Sequence, residues 1–475
     1  MGLYESLIDL ASEIFQGADD QSVHGLLNSV FKRLKRSPRL IDGRLLLDTV
    51  KSLTYYVLGS VFGAAGIAGS IREAVTNNVL NVITLTLVRD RAADLATFVL
   101  HLAEAAKCYY VADGTRDADE HRLYVDFNEL DMSVNMNRHA FICQIQRLAL
   151  SIIYILRNLY QEIEFSTIDM SGQTFLRSDH IAAPDATYST RKADRENMPE
   201  EEKRSGKMER LSEKFHAPVP DTDERWLFIN GIGGERFWLQ LACDKLRAFF
   251  HREINGVFNR GDGLLWDLIE CAGQRTSYVD TARPGEVVES QKTLLDQTQS
   301  SQEAQQRLKN ELSEMLKANI AGRDPYIIII AHSQGCLLLR RVLEDLININ
   351  PQDPQLEQTM QRRLCVFTFG NPSLHWKLQK LPTNPAAGSG NPAYLSSFCL
   401  KTEHFANERD FVAQLGVLSE DMDYGPEPIF KNNNEAWIGH FFGTQYSLNP
   451  EHYTNANNIQ SSLLSSRFGV RFTDP

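Results

Sequence analysis

The spacing of apolar residues differs between the two halves of the chain. From about residue 5 to about residue 164, apolar residues recur at the spacing of amphipathic helices. One such stripe consists of Leu45, Leu46, Val50, Leu53 and Val57, and a second of Ile142, Ile145, Leu148, Ile152 and Ile155. This pattern predicts a mainly helical N-terminal region over residues 1–178.

From residue 226 onward, short apolar runs alternate with helical segments. The runs occupy residues 226–229, 254–258, 326–331, 364–369 and 395–400. Between the second and third runs, a helical stripe is formed by Ala304, Leu308, Leu312, Met315, Leu316 and Ile320. Strands that alternate with helices predict a mostly parallel sheet with helices on both faces. Residues 226–475 are therefore expected to form an α/β domain.

The two halves are separated by residues 179–225, which have a different composition. This segment contains four prolines and the charged stretch ENMPEEEKRSGKMER at residues 196–210. Few apolar residues remain to bury a core, so the segment is not expected to order itself independently. We interpret it as a charged linker or a surface excursion.

Two features of the N-terminal region bear on membranes. Residues 52–71 lack charged side chains and are nearly long enough to cross a bilayer. Gly59, Gly63 and Gly66 dilute the hydrophobicity of this run, so a buried core helix is the favoured interpretation and membrane insertion the alternative. Gly2, with Ser6, also fits the M-G-x-x-x-[ST] acylation pattern, which chance often produces.

Composition and charge exclude several functional classes. The chain has 475 residues, and 61 acidic against 49 basic side chains give a net charge of -12, so no nucleic-acid partner is expected. The seven cysteines stand singly, without a C-x-x-C pair, which argues against a zinc site or a disulfide framework and favours a reducing compartment. No nucleotide-binding or metalloprotease motif occurs, so we expect no cofactor and no metal. The first ten residues lack the basic residues of a secretory signal, which predicts a cytoplasmic location, with membrane-surface contact as an option.

The most informative motif is YIIIIAHSQGCLLLRRVLEDL, at residues 326–346. An apolar strand runs into the sequence AHSQG, and an apolar-striped helix follows directly. This is the strand, turn and helix context of a nucleophile elbow, in which Ser333 is held above the end of the sheet. The helix N-terminus offers backbone N–H groups to a developing oxyanion, and the amide of Gln334 is the expected donor.

From about Trp226 to its end, the chain resembles an α/β-hydrolase of the lipase and esterase kind. The resemblance rests on motif and residue order, and it departs from the family at Ala331, where Gly is more common. The sequence WLFINGIGG at residues 226–234 resembles the His-Gly loop of the family, with Asn230 in place of His. The resemblance implies that this loop supplies a second oxyanion donor, the amide of Ile232 or Gly233.

The family order of serine, acid and histidine directs the choice of the remaining residues. Asp410 lies in the loop expected after the penultimate strand and is the predicted acid. The alternative acids are Glu408, Glu403 and Asp421. His440 follows a glycine about thirty residues later and is the predicted base. The alternative bases are His404, His375 and His452.

These residues predict a serine hydrolase that cleaves carboxylic esters, with a lipid or another acyl ester as its substrate. Ser333 would form an acyl-enzyme, His440 would act as the base and Asp410 would orient the imidazole. The alternative is a catalytically silent α/β-hydrolase scaffold whose helical region serves membrane recruitment or assembly. The complete order of serine, acid and histidine favours the enzyme.

Overall fold

The structure is a computed structural model that describes residues 223–261, 299–317, 325–349, 354–380, 392–433 and 439–467. It also describes single residues between 127 and 144, between 264 and 271, at 188–189, and at 470 and 472. The predicted helical stripes of the N-terminal region, the run at residues 52–71 and Gly2 lie outside or largely outside these residues. No helix in the described ranges is both long enough and apolar enough to span a membrane.

The main sheet has its strands in the order β1-β3-β2-β4-β5-β8-β9-β10. These strands are β1 (Tyr188–Ser189), β2 (Glu224–Ile229), β3 (Ile254–Val257), β4 (Tyr326–His332), β5 (Leu364–Phe369), β8 (Lys401–Asn407), β9 (Ile429–Asn432) and β10 (Thr454–Asn455). The six central strands are parallel, and the two short outer strands β1 and β10 are antiparallel to their neighbours. A separate antiparallel pair is formed by β6 (Lys377–Gln379) and β7 (Pro392–Tyr394).

Helices cover both faces of the sheet. The α-helices are α1 (Arg236–Phe250), α2 (Gln299–Lys317), α3 (Gln334–Ile349), α4 (Pro354–Arg363), α5 (Phe411–Leu415), α6 (Phe442–Gln445) and α7 (Ser462–Ser465). Alternate residues of β2 point to opposite faces: Leu227 and Ile229 pack with α2, α3 and α5, whereas Trp226 and Phe228 pack with α1, α6 and α7. The predicted α/β class, with a mostly parallel sheet between helices, is confirmed.

One predicted strand is wrong. Residues 395–400 form a 3-10 helix, Leu395–Ser397, followed by a turn, and β8 begins only at Lys401. The run is apolar because its residues Leu395, Phe398 and Cys399 are buried in the core although they do not belong to a strand. Strand β8 instead buries polar side chains, which a search for apolar runs does not detect.

The parallel arrangement brings four loops to one edge of the sheet. The C-terminal ends of β2, β4, β8 and β9 lie at that edge because the strands run in the same direction, with β5 between β4 and β8. The loops that follow these strands contain Gly231, Ser333, Asp410 and His440, respectively. The fold therefore places all the predicted catalytic residues at the same edge.

A buried ion pair lies near the opposite end of β2. The carboxylate of Glu224 accepts hydrogen bonds from Arg252 Nε at 2.6 Å, from Trp226 Nε1 at 2.9 Å and from the Phe472 N–H at 2.9 Å. Both charged side chains are buried. Breaking such a pair leaves an uncompensated charge in the interior.

We predict that Glu224→Ala lowers the free energy of unfolding by about 3–5 kcal/mol, as measured by urea denaturation. The matched control is Lys309→Ala, which removes a partly exposed ion pair with Asp345 and is expected to cost about 1 kcal/mol or less. Equal losses in the two variants would contradict the assignment of this pair as a structural requirement.

Candidate active site

Ser333 occupies the sharp turn between β4 and α3. Its φ of 57° lies in the left-handed region that residues with a side chain rarely adopt. The backbone is fixed there by a hydrogen bond from the Ser333 N–H to the Phe369 carbonyl at 2.8 Å. The side chain is buried, and its Oγ makes no hydrogen bond in the structure. The turn therefore holds the hydroxyl in position through the backbone alone.

The glycine-containing loop after β2 packs directly against Ser333. A Cβ added at Gly231 would overlap Ser333 Cβ and lie 2.8 Å from its Oγ and 3.0 Å from His332 Nδ1. Only glycine allows the loop backbone to approach this closely. The loop predicted to supply an oxyanion donor is thus in contact with the predicted nucleophile.

The two predicted donors in this loop differ in their hydrogen bonding. The Gly233 N–H donates to Asp267 Oδ2 at 2.8 Å, which counts against Gly233 as an oxyanion donor. This contact could not be predicted from sequence, because Asp267 lies 34 residues away in the chain. Among the described residues, the amides of Ile232 and Gln334 donate to no other group. These two N–H groups therefore remain as candidates.

The Gln334 side chain belongs to a buried network beneath the turn. Its Oε1 accepts from Asn259 Nδ2 at 2.7 Å, and its Nε2 donates to Glu270. Asn259 in turn exchanges two hydrogen bonds with Asn230, of 2.6 and 2.8 Å. Asn230, which replaces the histidine of the resembled family, thus joins the ends of β2 and β3 to the start of α3.

Asp410 and His440 form a buried hydrogen-bonded pair. Asp410 is the N-cap of α5, where its Oδ1 accepts from the Val412 N–H at 2.9 Å. Its Oδ2 lies 2.7 Å from His440 Nδ1. An ionised carboxylate only accepts hydrogen bonds, so Nδ1 bears the proton and Nε2 keeps a lone pair. The imidazole is therefore in the tautomer that can accept a proton at Nε2.

Tyr446 is a third member of this group that sequence reasoning missed. Its hydroxyl donates to Asp410 Oδ2, the oxygen that His440 also contacts. Burial and the nearby Asp410 charge raise the pKa of Tyr446 well above its ordinary value, so the hydroxyl stays protonated and donates. Gly370, with a φ of 59°, passes so close that an added Cβ would lie 2.7 Å from the Tyr446 hydroxyl. No motif distinguishes Tyr446 from the other tyrosines in the sequence.

His332, directly before the predicted nucleophile, contacts the loop of the predicted base. Its Nε2 lies 2.8 Å from the His440 carbonyl, and the two imidazole rings have centroids 4.6 Å apart. Burial, and secondarily the neighbouring His440, lower the pKa of His332 well below its ordinary value, so the ring is neutral. Since a carbonyl only accepts, Nε2 bears the proton and donates it to the backbone of His440.

The alternative acids have other environments. Glu403 accepts from the Ser461 hydroxyl at 2.7 Å and the Ser462 N–H at 2.8 Å, at the start of α7. Glu408 and Asp421 are exposed. None of the three contacts His440 among the hydrogen bonds of the described residues, whereas Asp410 does.

The alternative bases also lie elsewhere. His404 is buried within β8, with Thr368 Oγ1 2.7 Å from its Nδ1 and Glu427 Oε2 3.0 Å from its Nε2. His452 bonds to a serine hydroxyl at 2.6 Å. His375 forms an isolated backbone bridge on another loop. Of the four histidines considered, His440 is the one paired with the predicted acid.

The structure thus brings Ser333, Asp410 and His440 to one edge of the sheet but joins only two of them by a hydrogen bond. His332 adjoins Ser333 in the chain and contacts the loop of the base, and its ring is tilted by 33° against that of His440. The hydrogen bond between a catalytic serine and histidine is often long until substrate binds. The predicted roles of the three residues stay predictions at this point.

Comparison with known proteins assigns no family, because no protein-family model and no curated protein matches the chain. The functional argument therefore depends on the site itself.

We predict that Ser333→Gly is more stable than Ser333→Ala by about 1 kcal/mol, because glycine adopts a positive φ without the steric cost of Cβ. Both variants lack the hydroxyl, so the difference reports the cost of Cβ at this positive φ, reduced by the larger unfolded-state entropy of glycine. Urea denaturation of the two variants measures it. An alanine variant as stable as the glycine variant would contradict a strained turn.

Proposed function

We propose that this protein is a serine hydrolase of the α/β-hydrolase type that cleaves carboxylic esters. The main support is the 2.7 Å contact between His440 Nδ1 and Asp410 Oδ2, at the edge where Ser333 occupies a strand-to-helix turn. The three residues follow β4, β8 and β9 in the chain order of serine, acid and histidine, which is the order of that fold.

The proposed reaction proceeds in two acyl transfers. Ser333 Oγ attacks the ester carbonyl carbon while His440 Nε2 takes its proton, and Asp410 stabilises the resulting imidazolium. The imidazolium then gives the proton to the alcohol oxygen, the carbon–oxygen bond of the ester breaks, and an acyl-serine remains. Water, deprotonated by His440, attacks this acyl group. The imidazolium then returns the proton to Ser333 Oγ as the bond between the acyl carbon and Oγ breaks, which releases the carboxylic acid and free Ser333.

The oxyanion of each tetrahedral intermediate would be held by the amides of Ile232 and Gln334. Gln334 begins α3, where the unpaired N–H groups of a helix carry a partial positive charge. The close packing of Gly231 on Ser333 places the loop of Ile232 at the same point. Fixed donors aimed at a developing negative charge are typically worth a factor of 10²–10³ in rate.

The surroundings favour an acyl chain in the substrate. Leu264 lies 3.7 Å from the position of a Cβ on Gly233, next to the proposed oxyanion loop. Phe441, the residue after His440, packs against Trp238 with ring centroids 5.5 Å apart. Apolar side chains near a site stabilise the hydrocarbon groups of a ligand. A lipid or another acyl ester is the proposed substrate. The corresponding proposed partner is a membrane surface that carries the lipid.

One observation favours the alternative of a catalytically silent scaffold. Ser333 is 0% exposed, and its Oγ has no hydrogen-bonding partner. A hydroxyl that is covered and not bonded to a base would be unreactive if the site never opened. Labelling of the native protein separates the two functions.

We predict that a fluorophosphonate probe labels the folded wild-type protein. Ser333→Ala should abolish labelling, and His440→Ala should slow it by about 10³-fold or more, because the base and the nucleophile act as a unit. His452→Ala, which removes a histidine bonded outside the site, should be labelled like the wild type. Folded wild-type protein that is neither labelled nor able to hydrolyse acyl esters from short to long chain would favour the scaffold.

A further inference from the structure

A buried carboxylate from the N-terminal region reaches the turn that follows His440. Glu129 Oε1 accepts from the Gly443 N–H at 2.6 Å, and Oε2 accepts from the Thr444 hydroxyl. The Glu129 N–H also donates to the Thr444 hydroxyl oxygen at 3.3 Å. Glu129 is only 2% exposed and lies 314 residues before Gly443 in the chain. Thus a distant part of the sequence caps α6.

A buried cation holds the other end of the same turn. Lys245 Nζ, from α1, donates to the carbonyls of Phe442 at 2.7 Å, Gly443 at 2.9 Å and Tyr446 at 2.5 Å. An ammonium group has three N–H donors, and the three carbonyls satisfy all of them. Lys245 is fully buried, so these carbonyls replace its hydration.

The turn between the two charges needs such support because it is short. Helix α6 has only four residues, and a single helical turn is unstable on its own. A carboxylate at the N–H end and an ammonium at the carbonyl end both match the dipole of the turn. Burial raises the pKa of Glu129 and lowers the pKa of Lys245, and the opposite charge of each partner reduces the cost of burying the other.

The braced turn positions the proposed acid and base. Gln445 Oε1 accepts from the His440 N–H at 2.6 Å and the Phe441 N–H at 2.8 Å, which fixes the backbone of the base. At the end of the turn, Tyr446 donates to Asp410. Both groups that contact Asp410 Oδ2 are therefore attached to the turn that Glu129 and Lys245 hold.

The same N-terminal segment also contacts the proposed oxyanion loop. Gln144 Nε2 donates to Glu235 Oε1 at 2.8 Å, directly after the glycine-containing loop. Asn137 Oδ1 accepts from Trp238 Nε1 at 3.1 Å, and Ala140 packs against the start of α1. The described residues between 127 and 144 thus touch two of the loops that form the site.

We infer that Glu129, Asn137, Ala140 and Gln144 are an integral part of the active site and that Glu129, together with Lys245, is a positioning pair that holds His440 and Tyr446 against Asp410. The inference rests on the proposed function and extends it. It makes the activity of the α/β domain depend on a segment outside residues 226–475.

The test compares Glu129→Ala with a matched control in the full chain. Glu403→Ala is that control, because Glu403 is also buried and also accepts from a side-chain hydroxyl, that of Ser461, and from a backbone N–H at the start of a four-residue helix. For a p-nitrophenyl acyl ester, Glu129→Ala should lower kcat by about 10–100-fold with KM changed less than about twofold, since misplacement of catalytic groups affects kcat. Glu403→Ala should keep kcat near the wild-type value, although its thermal unfolding midpoint falls.

The variant Glu129→Gln separates a loss of kcat caused by misfolding from one caused by misplacement of His440 and Tyr446. Its amide oxygen can still accept from the Gly443 N–H while the negative charge is lost, so its kcat should lie between those of Glu129→Ala and the wild type. A kcat loss in Glu129→Ala no larger than in Glu403→Ala would overturn the inference.

The Nδ1–H proton resonance of His440 gives a readout that does not need turnover. This resonance reports the bond to Asp410, and it should be lost or broadened in Glu129→Ala but kept in Glu403→Ala. An unchanged resonance in Glu129→Ala would refute the positioning role, even in an active enzyme. The wild-type protein could also fail to react with the fluorophosphonate probe and fail to hydrolyse acyl esters. In that case, a resonance lost only in Glu129→Ala would support the positioning role and reject the proposed function.

Discussion

The hydrogen bond between Asp410 and His440 determines what this site can do. A buried carboxylate is costly unless donors satisfy it, and Asp410 receives bonds from His440, from Tyr446 and from the backbone of α5. Because these donors fix the carboxylate, they also fix which imidazole nitrogen is protonated. The lone pair on His440 Nε2, and with it the proposed base catalysis, follows from this arrangement.

The rest of the fold brings Ser333 to the same end of the sheet as that pair. The parallel strands deliver the loops of Gly231, Ser333, Asp410 and His440 to one edge. The left-handed turn at Ser333 and the overlap that any side chain at Gly231 would cause leave Ser333 little conformational freedom. His332 adds a neutral imidazole beside the ring of His440, which avoids a second positive charge there if His440 is protonated.

The sequence was most informative where structure depends on neighbouring residues. The apolar strand, the small residues at 331 and 335 and the following helix are contiguous, so the turn at Ser333 could be predicted, and chain order then pointed to Asp410 and His440. The predicted strand at residues 395–400 ends before β8 begins. The strand itself buries Glu403 and His404, whose partners Ser461 and Glu427 are distant in sequence. Contacts of Gly233 with Asp267 and of Glu129 with α6 were missed for the same reason.

The most direct test of the account is to trap the acyl-enzyme. Wild-type and His440→Ala proteins would be mixed with an activated acyl ester, quenched in acid and analysed by intact-protein and peptide mass spectrometry. We expect one acyl group on the peptide that contains Ser333, formed quickly and then lost by hydrolysis in the wild type, and scarcely formed in the variant. Acylation at another residue, or none in folded wild-type protein that binds the ester, would contradict the assignment of Ser333 as the nucleophile.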